Sequence, residues 1–379
     1  MSEHQTRNTI PGLIATLPQA RSPCIFNLEY LNEGGANVIY KIDGVRLLEE
    51  TLANLPSPSL ELQDTRDVRT TLQGKVLRLR KETADAESVE QNVKDYRSLV
   101  EVIGGMDHDD EALLLMPTLV SIHDILKQTC STHLTELSRV GLRNPHRSGG
   151  ISWSENFATL LDDMSCGEAH VPLEFKLKWL APSPSAPGNA TCCRTCALTT
   201  MKIQTEGKVP KTSLCPLGHL VGDEPYRQRL VDESMSDNAR KLVDYKQCEA
   251  WLCSLRSLRL IQKLRRAQIS LDPQGSLTDD AYTASINFRI AMTLRDCSIL
   301  AQIPKKTNGK LAPEEGVRFA IVDLDLKPDS QEKRDYWRSI ERSLVSEGYY
   351  TTSAERLCEI GVRCWLPEYH EAMRNRKLD

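Results

Sequence analysis

The sequence predicts an α+β chain organised as two lobes, and three observations carry that expectation. At 379 residues the chain is too long for one small core and fits two lobes comfortably. Its first third alternates short apolar runs with turn residues, the pattern of half-buried strands joined by tight connections. Further on, apolar residues recur at helical spacing between short strand-like runs that end in charged side chains.

In chain order, IFNLEYL (25–31), NVIYKI (37–42) and KVLRLR (75–80) read as strands, and the charged stretch 85–103 reads as a helix. Together they describe a small β-rich lobe. Breaker clusters at 56–59, 143–150, 181–190 and 304–313 mark loops. In PLEFKLKWL (172–180), a strand sets Glu174, Lys176 and Lys178 on one face and Phe175, Leu177 and Trp179 on the other. Asp237 or Asn238 can cap a long helix whose apolar positions are Leu242, Trp251, Leu255, Leu258, Ile261 and Leu264. Its basic residues Arg256, Arg259, Lys263, Arg265 and Arg266 read as a solvated face rather than a membrane-binding one. MTLRDCSIL (292–300) reads as an apolar strand interrupted by Asp296. RFAIVDLDLKP (318–328) reads as a strand with Asp323, Asp325 and Lys327 on one side and Leu324 and Leu326 behind, followed by a helix over about 331–346.

Composition removes several function classes. The 48 basic and 52 acidic residues nearly cancel to a net charge of -4, so nothing calls for nucleic acid or an anionic membrane, and any polyanion site must be a local cluster. The N-terminus shows no charged region followed by an apolar core, so the twelve cysteines are expected to be reduced, in cytoplasm or nucleus. No apolar run is long enough to span a bilayer.

Four motifs carry chemistry. In NEGGANVIY (32–40), Gly34 and Gly35 let a backbone approach phosphates closely, although a plain hairpin turn would use them too. Arg78, on a later strand, could bridge the same phosphates. Lys176 and Lys178 on one strand face repel unless an anion lies between them, while a Glu–Lys pair on a solvated strand is the plainer reading. Asp296 in an apolar setting needs a partner and suits a general base. Asp323 offers the hard oxygen that Mg²⁺ prefers, with Lys327 able to hold a second anionic group. Separately, Cys193, Cys196, Cys215 and His219 have a spacing that suits zinc, but buried thiols explain the first pair as well, and zinc is not assigned.

Taken together, EGGAN (33–37), KVLRLRK (75–81), EFKLKW (174–179), CRTCAL (193–198), RDCSIL (295–300) and DLDLKP (323–328) resemble the inositol-pentakisphosphate 2-kinase family, most closely its fungal branch. The resemblance implies a two-lobed inositol phosphate kinase fold distantly related to protein kinases, with a nucleotide-binding lobe at 1–170 and a catalytic, inositide-binding lobe at 171–379. It implies transfer of the γ-phosphate of ATP to the 2-hydroxyl of inositol 1,3,4,5,6-pentakisphosphate, giving phytic acid, by a monomer that uses Mg²⁺. By motif it assigns Gly34, Gly35, Ala36, Asn37 and Arg78 to the ATP phosphates, Glu174 to the nucleoside, and Asp162 and Met164 of LLDDM to the adenine. It makes Asp296 the catalytic aspartate, Lys176 its companion at the transfer point, and Asp323 the metal ligand. Lys178, Lys202, Lys327 and Tyr336 would bind substrate, with Arg143 or Arg147 as a clamp. Leu177 departs from the family's usual proline, and the zinc-binding Cys/His insertion of some members is not found. The remaining alternatives are another inositol phosphate as substrate, or an inactive zinc-stabilised binding module.

Overall fold

The computed structural model describes residues 9–16, 24–47, 72, 74–82, 87–103, 114–165, 170–207, 214–235, 237–243, 246, 248–249, 255–305 and 317–375. The expected loops at 56–59 and most of 304–313, and the helical position Trp251, lie outside these residues. The chain divides into two compact units, one of residues 1–97 and 115–163, the other of residues 98–114 and 164–379.

The first unit is a closed barrel. Its strands are β1 (Thr9–Thr16), β2 (Cys24–Glu33), β3 (Asn37–Leu47), β4 (Lys75–Arg80), β5 (Thr118–Ile122) and β6 (Phe157–Asp162), in the order β1-β2-β3-β4-β6-β5. Every pairing is antiparallel, and Ala15 opposite Ile122 closes the ring. Closure leaves no strand edge open to other chains. The alternation legible in the sequence places Leu28, Val38, Tyr40, Leu77, Leu79, Ala158 and Leu160 in one buried core. Helix α1 (Val89–Ile103) follows β4, and helix α2 (Asp124–Arg139) adds Leu126, Cys130, Leu134 and Leu137, a single face at helical spacing, to the barrel core.

The second unit holds a three-stranded antiparallel sheet in the order β7 (His170–Lys176), β8 (Ser298–Pro304), β9 (Arg318–Val322). Its helices are α3 (Arg194–Glu206), α4 (Gly218–Val221), α5 (Glu224–Ser234), α6 (Asp237–Leu242), α7 (Leu255–Leu271), α8 (Asp280–Ala284), α9 (Ile286–Leu294), α10 (Gln331–Ser346), α11 (Ala354–Glu359) and α12 (Leu366–Arg374). Ser330 accepts from the Lys333 N–H and caps α10 where the sequence places that helix. None of the described helices is long and apolar enough to cross a membrane.

Four expectations change in this unit. The strand at 172–180 ends at Lys176, and Lys178 has φ 53°, outside any strand. β9 ends at Val322, and Asp323 turns the chain at φ 61°, so Asp323, Asp325 and Lys327 do not share a strand face. MTL of MTLRDCSIL closes α9, which leaves Asp296 in the turn before β8 rather than inside a strand. The long helix expected from Asp237 appears as α6 and α7, and Arg265 is buried against Tyr369, donating to its hydroxyl at 2.9 Å, instead of facing solvent.

Candidate functional site

Sheet register assembles the site. Lys176 pairs with Ser298 and Ser298 with Val322, so β7 ends, β8 begins and β9 ends at one edge of the sheet. The residues just beyond that edge are therefore Lys178, Asp296 and Asp323. Lys176 Nζ donates to Asp323 Oδ2 at 3.0 Å and lies 2.8 Å from Glu174 Oε1, which also accepts from Ser298 Oγ at 2.9 Å. Asp296 receives two lysines, Lys178 Nζ on Oδ1 at 2.8 Å and Lys327 Nζ on Oδ2 at 2.6 Å.

Lys178 and Asp323 are the non-glycine residues with positive φ among those described. Such conformations cost on the order of 1–3 kcal/mol each and persist only where the surroundings fix them. Gln268 does so for Lys178. Its buried amide donates to Lys178 O and Leu294 O, both at 3.0 Å, and accepts from Leu180 N at 2.9 Å. No periodicity in the sequence singles out Gln268, because its three bonds all go to backbone.

Burial alone would raise the Asp296 carboxyl, but Lys327 and Lys178 outweigh it and hold the group at about 2. Because the folded value lies below that of the unfolded chain, this pairing stabilises the fold above roughly pH 4 and is lost as pH falls through about 2. Glu174 is also held down: burial opposes ionisation, and Lys176 with Ser298 overcomes it. Burial pulls Lys176 the other way, yet Glu174 and Asp323 raise it overall, so both members of that pair stay charged. The turn is thus a lattice of lysines and carboxylates in which Glu174 and Asp296 are held ionised.

Beside it opens a pocket of about 450 Å³. Lys176, Lys178, Arg194, Lys202, Arg295, Lys327 and Lys333 line it, against the carboxylates Glu174, Glu233 and Asp296. The excess of positive charge is local, as the near-neutral composition requires of any anion site. Tyr336, exposed on α10, and Trp337 complete one wall, with Lys333 Nζ 5.1 Å from the Tyr336 ring centre. Two guanidinium groups lie over the Trp179 ring, Arg295 at 3.8 Å and Arg194 at 4.5 Å from its centre. Those arginines are anchored in turn, Arg295 by Asp272 and Arg194 by the fully buried Glu341 at 2.7 Å. Asp323 is outside the pocket lining and reaches it through Lys176.

The glycine-rich loop belongs to the first unit. Gly34 N donates to Asn37 O at 2.8 Å and Lys81 N to Ala36 O at 2.9 Å. Beneath the loop, buried Glu33 binds Lys81 Nζ at 2.7 Å and Arg143 through Nε at 2.5 Å and Nη2 at 2.8 Å. Arg143 Nη2 also donates to Gly149 O at 2.8 Å. This arginine therefore holds the loop and does not offer its guanidinium to a ligand, whereas Arg147 is exposed near Gly35. Neither Gly34 nor Gly35 has positive φ, and an added Cβ would meet nothing closer than 3.9 Å. The fold does not need these glycines; what they leave is uncovered backbone. Arg78 is half-buried in β4, Asp162 ends β6 in an ion pair with Lys75, and Met164 is buried in the second unit.

Of the possible zinc ligands, Cys193, Cys196 and Cys215 come together, but His219 does not join them. Its place is taken by Cys364. His219 lines the pocket, where burial pushes its imidazole down to about 4.

A sequence model described as inositol-pentakisphosphate 2-kinase matches residues 30–343. The chain is also 33% identical, over 180 residues, to a Yarrowia lipolytica protein named inositol-pentakisphosphate 2-kinase. That alignment covers 47% of this chain and 53% of the yeast protein, about half of each.

Proposed function

Because this chain belongs to the inositol-pentakisphosphate 2-kinase family, we propose that it transfers the γ-phosphoryl group of ATP to the 2-hydroxyl of inositol 1,3,4,5,6-pentakisphosphate, giving inositol hexakisphosphate. The observation that carries this reading is Asp296, clasped by two lysines at the mouth of a cationic pocket. A lightly charged substrate would not need the five lysines, Lys176, Lys178, Lys202, Lys327 and Lys333, that line the pocket beside the anchored arginines. A ligand with five phosphates would compete for Lys178 and Lys327, and their withdrawal would leave Asp296 with burial as its main influence, which raises its proton affinity. The base is then strengthened by the substrate whose hydroxyl it serves. Lys176 neutralises charge at the transfer point, while Lys202, Lys327 and Tyr336 contact the inositide. Gly34, Gly35, Ala36, Asn37 and Arg78 hold the nucleotide phosphates, and Asp162, Met164 and Glu174 the nucleoside.

Asp323 fits a Mg²⁺ ligand. It is an exposed carboxylate beside the pocket, and Mg²⁺ keeps most of its waters and needs only one or two carboxylates alongside phosphate oxygens. When bound, the ion neutralises phosphate charge; until then Lys176 occupies its carboxylate.

Incubating the protein with ATP, Mg²⁺ and a panel of inositol phosphates, and resolving the products by chromatography, tests the reading directly. Conversion of the pentakisphosphate to the hexakisphosphate is the expected result. Preferential turnover of a less phosphorylated inositol would move the assignment to another substrate, and no turnover at all would leave a binding module.

Two further outcomes follow. Raising salt from 0.1 to 1 M shortens the screening length from about 10 to about 3 Å, so calorimetric affinity for the pentakisphosphate should fall by more than about tenfold. Flat salt dependence would disconnect binding from the lysines. Gly35→Ala should leave the melting temperature unchanged or raise stability by about 0.4–1 kcal/mol, since nothing obstructs the methyl group, yet weaken ATP binding. A variant that binds ATP normally would remove the loop from the nucleotide site.

A further inference from the structure

Cys193, Cys196, Cys215 and Cys364 place their sulfur atoms within 4.8 Å of one another. We propose that these four thiolates form a closed structural zinc site, separate from the catalytic turn and independent of the substrate assigned above. Sulfur spacing is the first argument. Cys193 and Cys215 are 3.6 Å apart and Cys215 and Cys364 are 3.9 Å apart. A disulfide needs about 2 Å. Zinc–sulfur bonds of about 2.3 Å in a tetrahedron hold the sulfurs about 3.8 Å apart, a value that these two separations bracket.

The surroundings suit thiolate rather than thiol. The Cys193 N–H donates to Cys364 Sγ at 3.2 Å and the Trp365 N–H to Cys215 Sγ at 3.4 Å. Cys193 is also the N-cap of the thirteen-residue α3 and makes no side-chain capping bond, so the positive end of that helix faces the cluster. Binding Zn²⁺ displaces four thiol protons to solvent and leaves the site with a net charge of two minus, which these backbone donors offset. With four protein ligands no position remains for water or substrate, so the role is structural.

Three remote segments are thereby fastened. Cys193 and Cys196 open α3, whose Arg194, Thr195 and Lys202 line the cationic pocket. Cys215 sits in the turn before α4, and Cys364, 149 residues further on, precedes α12. The metal ties the C-terminal helices to the pocket wall. Cys364 lies beyond residue 343, where the family match ends.

Metal analysis of the full chain, purified reduced and without chelator, is expected to find about one zinc per molecule. Cobalt exchanged into the wild-type protein should show the thiolate-to-metal charge transfer and d–d bands of a four-sulfur tetrahedral site. Cys364→Ser should lower zinc retention against a competing chelator by more than the roughly 10–100-fold typical of losing a supporting partner, whereas His219→Ala should retain zinc. Absence of zinc with all four thiols titrating as free, a cobalt spectrum of three sulfurs and one nitrogen, or zinc loss in His219→Ala would each overturn the proposal. The wild-type cobalt spectrum decides the matter even if Cys364→Ser fails to fold.

Discussion

Replacing Asp296 by asparagine is expected to lower turnover by about a hundredfold to ten-thousandfold, the usual contribution of a general base, without weakening the inositide. The two effects separate because Asp296 neutralises Lys178 and Lys327 in the free protein. An amide of nearly the same shape frees both cations for phosphate, so KM should stay level or fall while kcat collapses. Nucleotide affinity should not change. Initial rates with radiolabelled ATP across inositide concentrations give kcat and KM, and calorimetry gives the nucleotide affinity. Near-normal turnover would remove Asp296 from the chemistry. A raised KM with intact kcat would make it a positioning residue for the lysines instead.

Glu33→Ala should produce the largest loss of stability. Glu33, Lys81 and Arg143 are buried together, and the single carboxylate answers both cations. Burial alone would raise the Glu33 carboxyl, yet the bonds from Arg143 and Lys81 hold it below the ordinary glutamate value, so the pairing supports the fold at neutral pH and weakens as the solution is acidified. Removing one member of a buried pair typically costs about 3–5 kcal/mol, because the stranded charge cannot regain its water. For a unit of this size that is a fall in melting temperature of roughly 10–20 °C. Replacing all three residues together by leucine and methionine should recover much of the loss, since the uncompensated charge is what destabilises. Calorimetric melting of the single and triple variants checks both statements. A single variant that melts like the wild type would mean that water reaches the cluster.

How much of this was legible in the sequence depends on the distance over which each feature is written. The strands at 25–31, 37–42 and 75–80 and the helix at 331–346 were readable because a local period fixes which residues face inward. The residues of the turn around Asp296 and Asp323 were readable as types but not as an arrangement. The sequence offered Asp323 with Lys327 on one strand, whereas the fold pairs Asp323 with Lys176 and Lys327 with Asp296, since left-handed backbone at Asp323 ends the strand early. Aspartate tolerates left-handed backbone better than most residues, but an aspartate alone does not mark such a turn. Long-range partners were least visible. Arg143 lies 110 residues from Glu33, and nothing along the chain shows that its charge is already spent. His219 stood at a plausible metal-ligand spacing from Cys215, while the cysteine that closes the cluster is far away in sequence.

The stacking of Arg194 and Arg295 on Trp179 has an optical consequence. An indole's emission responds to the electric field across its ring, and here two guanidinium groups, each paired with a buried carboxylate, stand 3.8 and 4.5 Å from the ring centre. Trp179 and Trp337 both line the cationic pocket, two of only five tryptophans in the chain. A polyanion settling in the pocket changes the field at both rings, so the protein carries its own unlabelled fluorescent reporter of whatever fills the pocket.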